Sequence, residues 1–303
     1  MKILSDRILK LMPYGRKVII MIRLKNLQKD YKDFKLDVSM EVPEGRVTGI
    51  IGKNGAGKTT TIKAILGLIR TDGGEIEVFG KNPGDFTGED KKKIGVALSD
   101  TGFCSVLTVK DVISILGSFY EDFDETDFKD KCKAQSLPLD KPLKDFSSGM
   151  KAKLRVLTAM SHKASILILD EPTAGLDVIA RNDVLQMIRD YLGEDQTRSV
   201  IISSHISSDL EGLCDDIYMI DNGRIILHED TDVLLGKYGL VKVGEDDYES
   251  LDKKYIIASQ KDSYSYTCLT SEKQFYAENY PKAVVENAHI DDIIVLMLGG
   301  NNK

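Results

Sequence analysis

Gly52-Lys53-Asn54-Gly55-Ala56-Gly57-Lys58-Thr59 is an octet of the form G-x-x-x-x-G-K-[ST]. It follows an apolar run, Arg46–Ile51, and opens a stretch of helical spacing from about Lys58 to Leu68. The chemistry of phosphate capture explains the residue types. Gly52, Gly55 and Gly57 let the backbone curl until successive N–H groups face one anion, with Lys53, Asn54 and Ala56 supplying the amides between them. The helix N-terminus adds a favourable dipole for the same charge. Lys58 then reaches the β- and γ-phosphates, Thr59 offers a hydroxyl to Mg²⁺, and Thr60 lines the phosphate end of the loop. The octet predicts a nucleoside triphosphate site with Mg²⁺.

Working outward, Phe34, Leu36, Val38, Met40 and Val42 alternate with polar residues, the period of a half-buried strand. A turn at Pro43-Glu44-Gly45 leads into the run before the octet. Downstream, Glu75–Phe79 and Ile94–Leu98 read as strands, and Val109–Tyr120, Asp124–Gln135, Ser148–Ser161 and Val178–Leu192 read as helices. Ile166–Leu169 and Ser199–Ile202 are continuous apolar runs of the kind covered on both faces. Strands alternating with helices imply an α/β core around a mainly parallel sheet. Asp221-Asn222-Gly223 marks a hairpin. Beyond about His228 the texture changes, with a hairpin expected around Lys261-Asp262-Ser263 and a terminal helix over Ile290–Leu298. The expected organisation is an extension over 1–21, a nucleotide-binding domain over 22–230 with a helical subdomain at about 100–160, and a small α+β appendage over 231–303. Whether translation begins at Met1 or Met21 stays open.

The apolar run at 166–169 ends in Asp170-Glu171. Ligands gather at the carboxyl ends of such strands. Asp170 is therefore the expected Mg²⁺ ligand, and Glu171 the general base that polarises the attacking water.

Composition narrows the partners. The 303 residues carry 41 Lys and Arg against 48 Asp and Glu, a formal net charge of −7. That balance lacks the basic footprint of a nucleic-acid binder. The longest apolar candidates, Val18–Ile22 and Ile293–Gly300, fall far short of the roughly 20 residues of a spanning helix. Cys104, Cys132, Cys214 and Cys268 are scattered and read as reduced thiols.

With these motifs quoted, the chain resembles the ATPase subunits of ATP-binding cassette (ABC) transporters over about Ile22 to Glu229. Phe146-Ser147-Ser148-Gly149-Met150 looks like the family signature, Pro172–Asp177 like its D-loop, and Ser203-Ser204-His205 like its switch histidine. Tyr31 stands where the family places an aromatic that stacks on adenine. The resemblance implies a P-loop cassette with a mixed sheet and a helical subdomain. It also implies a head-to-tail dimer, as a homodimer or with a second cassette. Each ATP would lie between the loop of one copy and the signature of the other, so Ser147 and Gly149 would act in trans. His205 would contact the γ-phosphate in cis, and Asp177 would link the two sites.

Two departures stand out. Where the family carries a Mg²⁺-contacting Gln, the chain reads Leu98-Ser99-Asp100; Ser99 is the best-aligned oxygen ligand, and Asp100 stays open as an anionic substitute. Ser148 and Met150 replace the usual Gly and Gln, while Ser147 and Gly149 are retained. His162, His228 and His289 fit no motif and read as packing or surface residues. The stretch Phe119–Phe128 falls where the family meets its permease, although its charges read as a solvated helix face. The expected function is the ATP-hydrolysing subunit of an exporter, similar to drug and bacitracin-type peptide cassettes. It would be cytoplasmic and held at the membrane by a separate permease. A soluble ATPase of iron–sulfur assembly and a weakly hydrolysing regulatory cassette stay open as alternatives.

Overall fold

The computed structural model describes residues 8–11, 17–100, 102–299 and 301–302. Its first part runs β1 (Ile8–Leu11), β2 (Lys17–Tyr31), β3 (Phe34–Pro43), β4 (Val47–Ile51), α1 (Lys58–Ile65), β5 (Gly73–Val78), α2 (Gly88–Lys92) and β6 (Ile94–Ala97). Then come α3 (Val109–Phe119), α4 (Glu125–Ala134), α5 (Ser148–Met160), β7 (Ile166–Asp170), α6 (Val178–Glu194), β8 (Ser199–Ser204), α7 (Ser207–Glu211), β9 (Asp216–Asp221) and β10 (Arg224–Asp230).

Ten strands form one sheet in the order β1-β2-β3-β10-β9-β4-β8-β7-β6, with β5 paired to β2. Neighbours from β9 through β4, β8 and β7 to β6 are parallel, whereas β2 pairs antiparallel with β3 and β5. The sheet is thus mixed. β4, β7 and β8 are buried at every residue, as expected of largely apolar strands covered on both faces. One face packs Ile50, Ile168 and Ile201 against Ile62 and Ile65 of α1. The other packs Leu167, Leu169 and Ile202 against Leu154 and Leu157 of α5 and Val184 and Ile188 of α6.

The extension expected over residues 1–21 lies partly outside the described residues, at 1–7 and 12–16. The expected boundary at Ile22 falls inside β2, which begins at Lys17. Ile20, Ile22 and Leu24 are buried and face Pro43, Val42 and Met40 across the ladder. Register shifts at Ile20/Ile22 and Leu24/Leu27 break the strict alternation that would have marked this strand in the sequence.

The remainder comprises α8 (Thr231–Lys237), β11 (Gly239–Gly244), α9 (Glu245–Ser250), β12 (Ile256–Lys261), β13 (Ser265–Thr270), α10 (Lys273–Asn279), β14 (Val284–Asn287), α11 (Ile290–Gly299) and β15 (Asn301–Asn302). Its five strands pair antiparallel in the order β14-β11-β13-β12-β15. Leu240, Leu269, Ile290 and Ile293 join the same core as α5 and α6. A fully buried aliphatic side chain contributes about 1.5–3 kcal/mol, so this shared interior anchors the small sheet firmly. The backbone N–H of Ile290, at the start of α11, also donates to Glu211 Oε1 on α7 at 2.9 Å. The four cysteines are free thiols, and burial pushes those of Cys132 and Cys268 up to about 12 and about 11.

Candidate functional site

The glycine octet forms the turn between β4 and α1. Two of its glycines are sterically forced. A Cβ on Gly52 would lie 2.3 Å from the Ile220 carbonyl oxygen. Gly57 caps α1 at φ 117° and is hemmed in by Leu36, Ile220 and Phe34 at 2.9–3.1 Å. Tyr31, Phe34, Asn54, Gly55, Gly57, Lys58, Thr59, Thr60, Ser99 and Glu171 line a cleft of about 310 Å³ over the loop. Tyr31, 48% exposed, closes one side at the end of β2, with Lys29 Nζ 5.4 Å from its ring centroid. An exposed ring beside a phosphate loop is free to stack on a base.

Lys58 is almost wholly buried and bends back into the loop. Its Nζ donates to the carbonyls of Gly52 at 2.6 Å and Lys53 at 3.3 Å, and lies 3.0 Å from Glu171 Oε1. The other carboxylate oxygen, Oε2, is 2.6 Å from His205 Nδ1. An ionised carboxylate only accepts, so against it Nδ1 is the protonated nitrogen of the ring. Glu171 itself has φ 49°, a region that branched and charged residues seldom occupy. Two hydrogen bonds pin that geometry: its N–H donates to Ser203 Oγ at 3.0 Å and to the Ser203 carbonyl at 3.1 Å. Strain of this kind, about 1–3 kcal/mol, persists where surrounding contacts over-determine it.

Asp170, 1% exposed, collects three hydroxyls. Thr59 Oγ1 and Ser99 Oγ donate to Oδ2 at 2.8 and 2.9 Å, and Ser203 Oγ donates to Oδ1 at 2.6 Å. A carboxylate ringed by small hydroxyls is an all-oxygen donor set, which fits a hard divalent cation such as Mg²⁺.

Ser147, Gly149 and Asp177 do not line this cleft. Ser147 caps α5, its Oγ accepting from the Met150 N–H at 3.2 Å. A Cβ on Gly149 would meet the Ala180 Cβ at 2.9 Å, so α5 and α6 touch through a gap only glycine fits. The Asp177 carboxylate caps α6, accepting from the N–H groups of Ile179 and Ala180 at 3.0 and 2.9 Å. Within one chain, then, Tyr31, residues 52–60, Ser99, Asp170, Glu171 and His205 converge, and the signature and D-loop residues stand apart.

The structure adds groups that the sequence did not single out. Ser203 bonds both Asp170 and Glu171, yet in the sequence it is one serine of a pair before His205. Asp209, fully buried, accepts from Thr173 Oγ1 at 2.6 Å and pairs with Arg181, tying the D-loop to the helix after His205. The unassigned histidines have packing partners: His162 stacks on Tyr120 at 4.1 Å, and His228 stacks on Tyr218 at 3.7 Å. His289, 3.9 Å from Glu211, is exposed.

Comparison with known proteins gives a consistent picture. The family model described as ABC transporter matches residues 36–174. The ABC transporter ATP-binding protein YtrB of Bacillus subtilis is 28% identical over 297 residues, covering 93% of this chain and all of the relative. The lantibiotic transport ATP-binding protein SrtF of Streptococcus pyogenes is 34% identical over 215 residues, covering 70% of this chain and 92% of the relative. A solved dimer of the cassette MJ0796, bound to ADP and Pi, superposes with a TM-score of 0.62 at 21% identity, covering 70% of this chain and 99% of the other; it supports the fold.

Proposed function

The chain belongs to the ABC transporter family, and from that premise we propose that it is the ATP-binding and ATP-hydrolysing subunit of an exporter whose permease is a separate chain. The observation that carries this reading is the seating of Glu171 between Lys58 and His205, over a loop built for phosphate. The Glu171 carboxylate pairs with Lys58 across 3.0 Å. An arriving γ-phosphate takes over that cation and frees Glu171 to act.

The reaction then follows from the residues. Loop amides and Lys58 hold the β- and γ-phosphates, and Tyr31 stacks on the adenine. Thr59, Asp170 and Ser99 would hold Mg²⁺, which when bound neutralises charge on the phosphate oxygens. Glu171 accepts a proton from a water that attacks the γ-phosphorus. The new P–O bond forms as the bond to the β–γ bridging oxygen breaks, leaving ADP and inorganic phosphate. With Nδ1 held by Glu171, His205 offers Nε2 to the γ-phosphate. Positioning and charge stabilisation account for most of the rate in such transfers.

In this reading a single chain holds half of the machinery, because Ser147 and Gly149 do not line its own cleft. A second cassette, most economically another copy, supplies them in trans, with Asp177 at the junction. Among the described residues no helix is long and apolar enough to cross a membrane. In this reading the permease is another chain. Phe119 and Val106, 71% and 67% exposed at the helical subdomain, suit a partner contact there. Placement on the cytoplasmic face of the membrane follows from that partnership.

Affinity purification of the tagged chain from gently solubilised membranes tests the assignment. Recovery of a stoichiometric polytopic membrane protein, with ATP turnover by the complex, is the expected result. A chain recovered without any membrane protein would refute the transporter reading.

A further inference from the structure

The segment that replaces the family's Gln is held from three directions. Ser99 Oγ donates to Asp170 Oδ2 on β7 at 2.9 Å. Asp100 Oδ2 pairs with Lys63 Nζ on α1 at 2.6 Å, which holds the carboxyl below its ordinary range and the ammonium above its own. From α5, Arg155 Nη1 donates to two consecutive backbone carbonyls, Leu98 at 3.2 Å and Ser99 at 3.1 Å.

These anchors are unequal. The Lys63–Asp100 pair is at the surface, with the Asp100 side chain 52% exposed, and exposed pairs constrain little. Arg155 is half-buried, and among the described residues it forms no ion pair, so its charge is directed at the two carbonyls. A guanidinium fixes the direction of carbonyls it bonds far better than a flexible ammonium does. Arg155 also sits on the rigid helix that Ser147 caps, about two turns or roughly 12 Å further along. The carbonyl it grips on Ser99 belongs to the residue whose hydroxyl meets Asp170. A short serine side chain, unlike a long glutamine, reaches that carboxylate only if its backbone is held close.

The geometry points to Arg155 as the positioning residue for Ser99: it fixes the backbone of Leu98 and Ser99 so that the Ser99 hydroxyl stands at Asp170, and it links that contact to the helix carrying Ser147. This rests on the nucleotide-site reading above. Arg155 touches neither nucleotide nor metal and acts through Ser99.

The test compares wild type with Arg155→Ala, Arg155→Lys, Ser99→Ala and the double alanine variant, using MANT-ATP in EDTA and in excess magnesium. Loss of a group that orients a metal ligand costs about tenfold or more in metal-dependent affinity. Arg155→Ala and Ser99→Ala should each lose about tenfold of the affinity gained with magnesium, while affinity in EDTA changes by less than about twofold. The double variant should be no worse than either single one, because the two residues act in series. Arg155→Lys should restore part of the gain. In the nucleotide-free chain, amides of residues 98–100 should exchange about tenfold faster in Arg155→Ala. If Arg155→Ala fails to melt cooperatively, Arg155→Met replaces it, keeping the packed stem. Unchanged metal dependence, losses that multiply in the double variant, or unchanged exchange would each overturn the proposal. Should wild type not bind MANT-ATP at all, the nucleotide reading fails, and the exchange measurement still decides the Arg155 contact.

Discussion

At the carboxyl ends of β4, β7 and β8, buried Lys58 and Asp170 join Glu171 and His205 in a polar cluster; at the amino ends of β4 and β9, buried Thr48 and Asp216 join Arg46 and, from β10, His228 in another. The second closes on itself. Asp216 Oδ1 accepts from Thr48 Oγ1 at 2.9 Å, and Oδ2 lies 2.8 Å from His228 Nε2. Arg46 bridges Asp216 and Asp230, and Tyr218 covers the His228 ring. The first cluster is held under tension. Glu171 occupies a left-handed backbone conformation, and its Oε1 is buried with an ion pair to Lys58 but no hydrogen bond. Lys58 spends its donors on loop carbonyls that a phosphate would displace. Buried charge alone therefore does not mark a site in this sheet. The mark is buried charge whose partners are replaceable.

Substitutions can break or sharpen that contrast. The largest effect is expected from Glu171→Gln, which should lower ATP turnover by roughly 10²–10⁴ while leaving nucleotide binding in place. Wild-type turnover would remove Glu171 as the base. Lys58→Ala should cost about 10²–10³ in turnover, read by phosphate release, and weaken nucleotide binding as well. At the other end of the sheet, Asp216→Asn should leave turnover per folded molecule unchanged and lower stability by about 1–3 kcal/mol in urea unfolding. A turnover defect there would erase the distinction between the two clusters. The smallest change belongs to His228→Phe, which keeps the stack on Tyr218 and loses one hydrogen bond, for about 0.5–1.5 kcal/mol.

The same contrast explains what could be read in advance. The loop at 52–59 and the apolar run before Asp170-Glu171 are contiguous in sequence, so residue type and spacing carried both fold and chemistry. The ABC family resemblance and the cassette fold agree with the comparisons, and the β12–β13 hairpin lies where the alternation around Lys261-Asp262-Ser263 placed it. What escaped was non-local. β2 was hidden by its bulges, and β11 and β14 pair only after α9, the hairpin and α10 intervene. Ser203, Asp209 and Arg155 gain meaning only when strands and helices distant in sequence bring them to Asp170, Thr173 and Ser99. The separation of Ser147 from its own cleft was likewise no property of its local sequence; the expectation came from the family resemblance, and in the fold Ser147 does not line the cleft of its own chain.

That separation carries the central claim, that two cassettes complete each other's sites. Lys58→Ala chains and Ser147→Arg chains, each inactive alone, should recover ATP turnover when mixed, because the heterodimer joins one intact loop to one intact signature. Heterodimers demonstrated by native mass spectrometry that still fail to hydrolyse ATP would contradict the shared site.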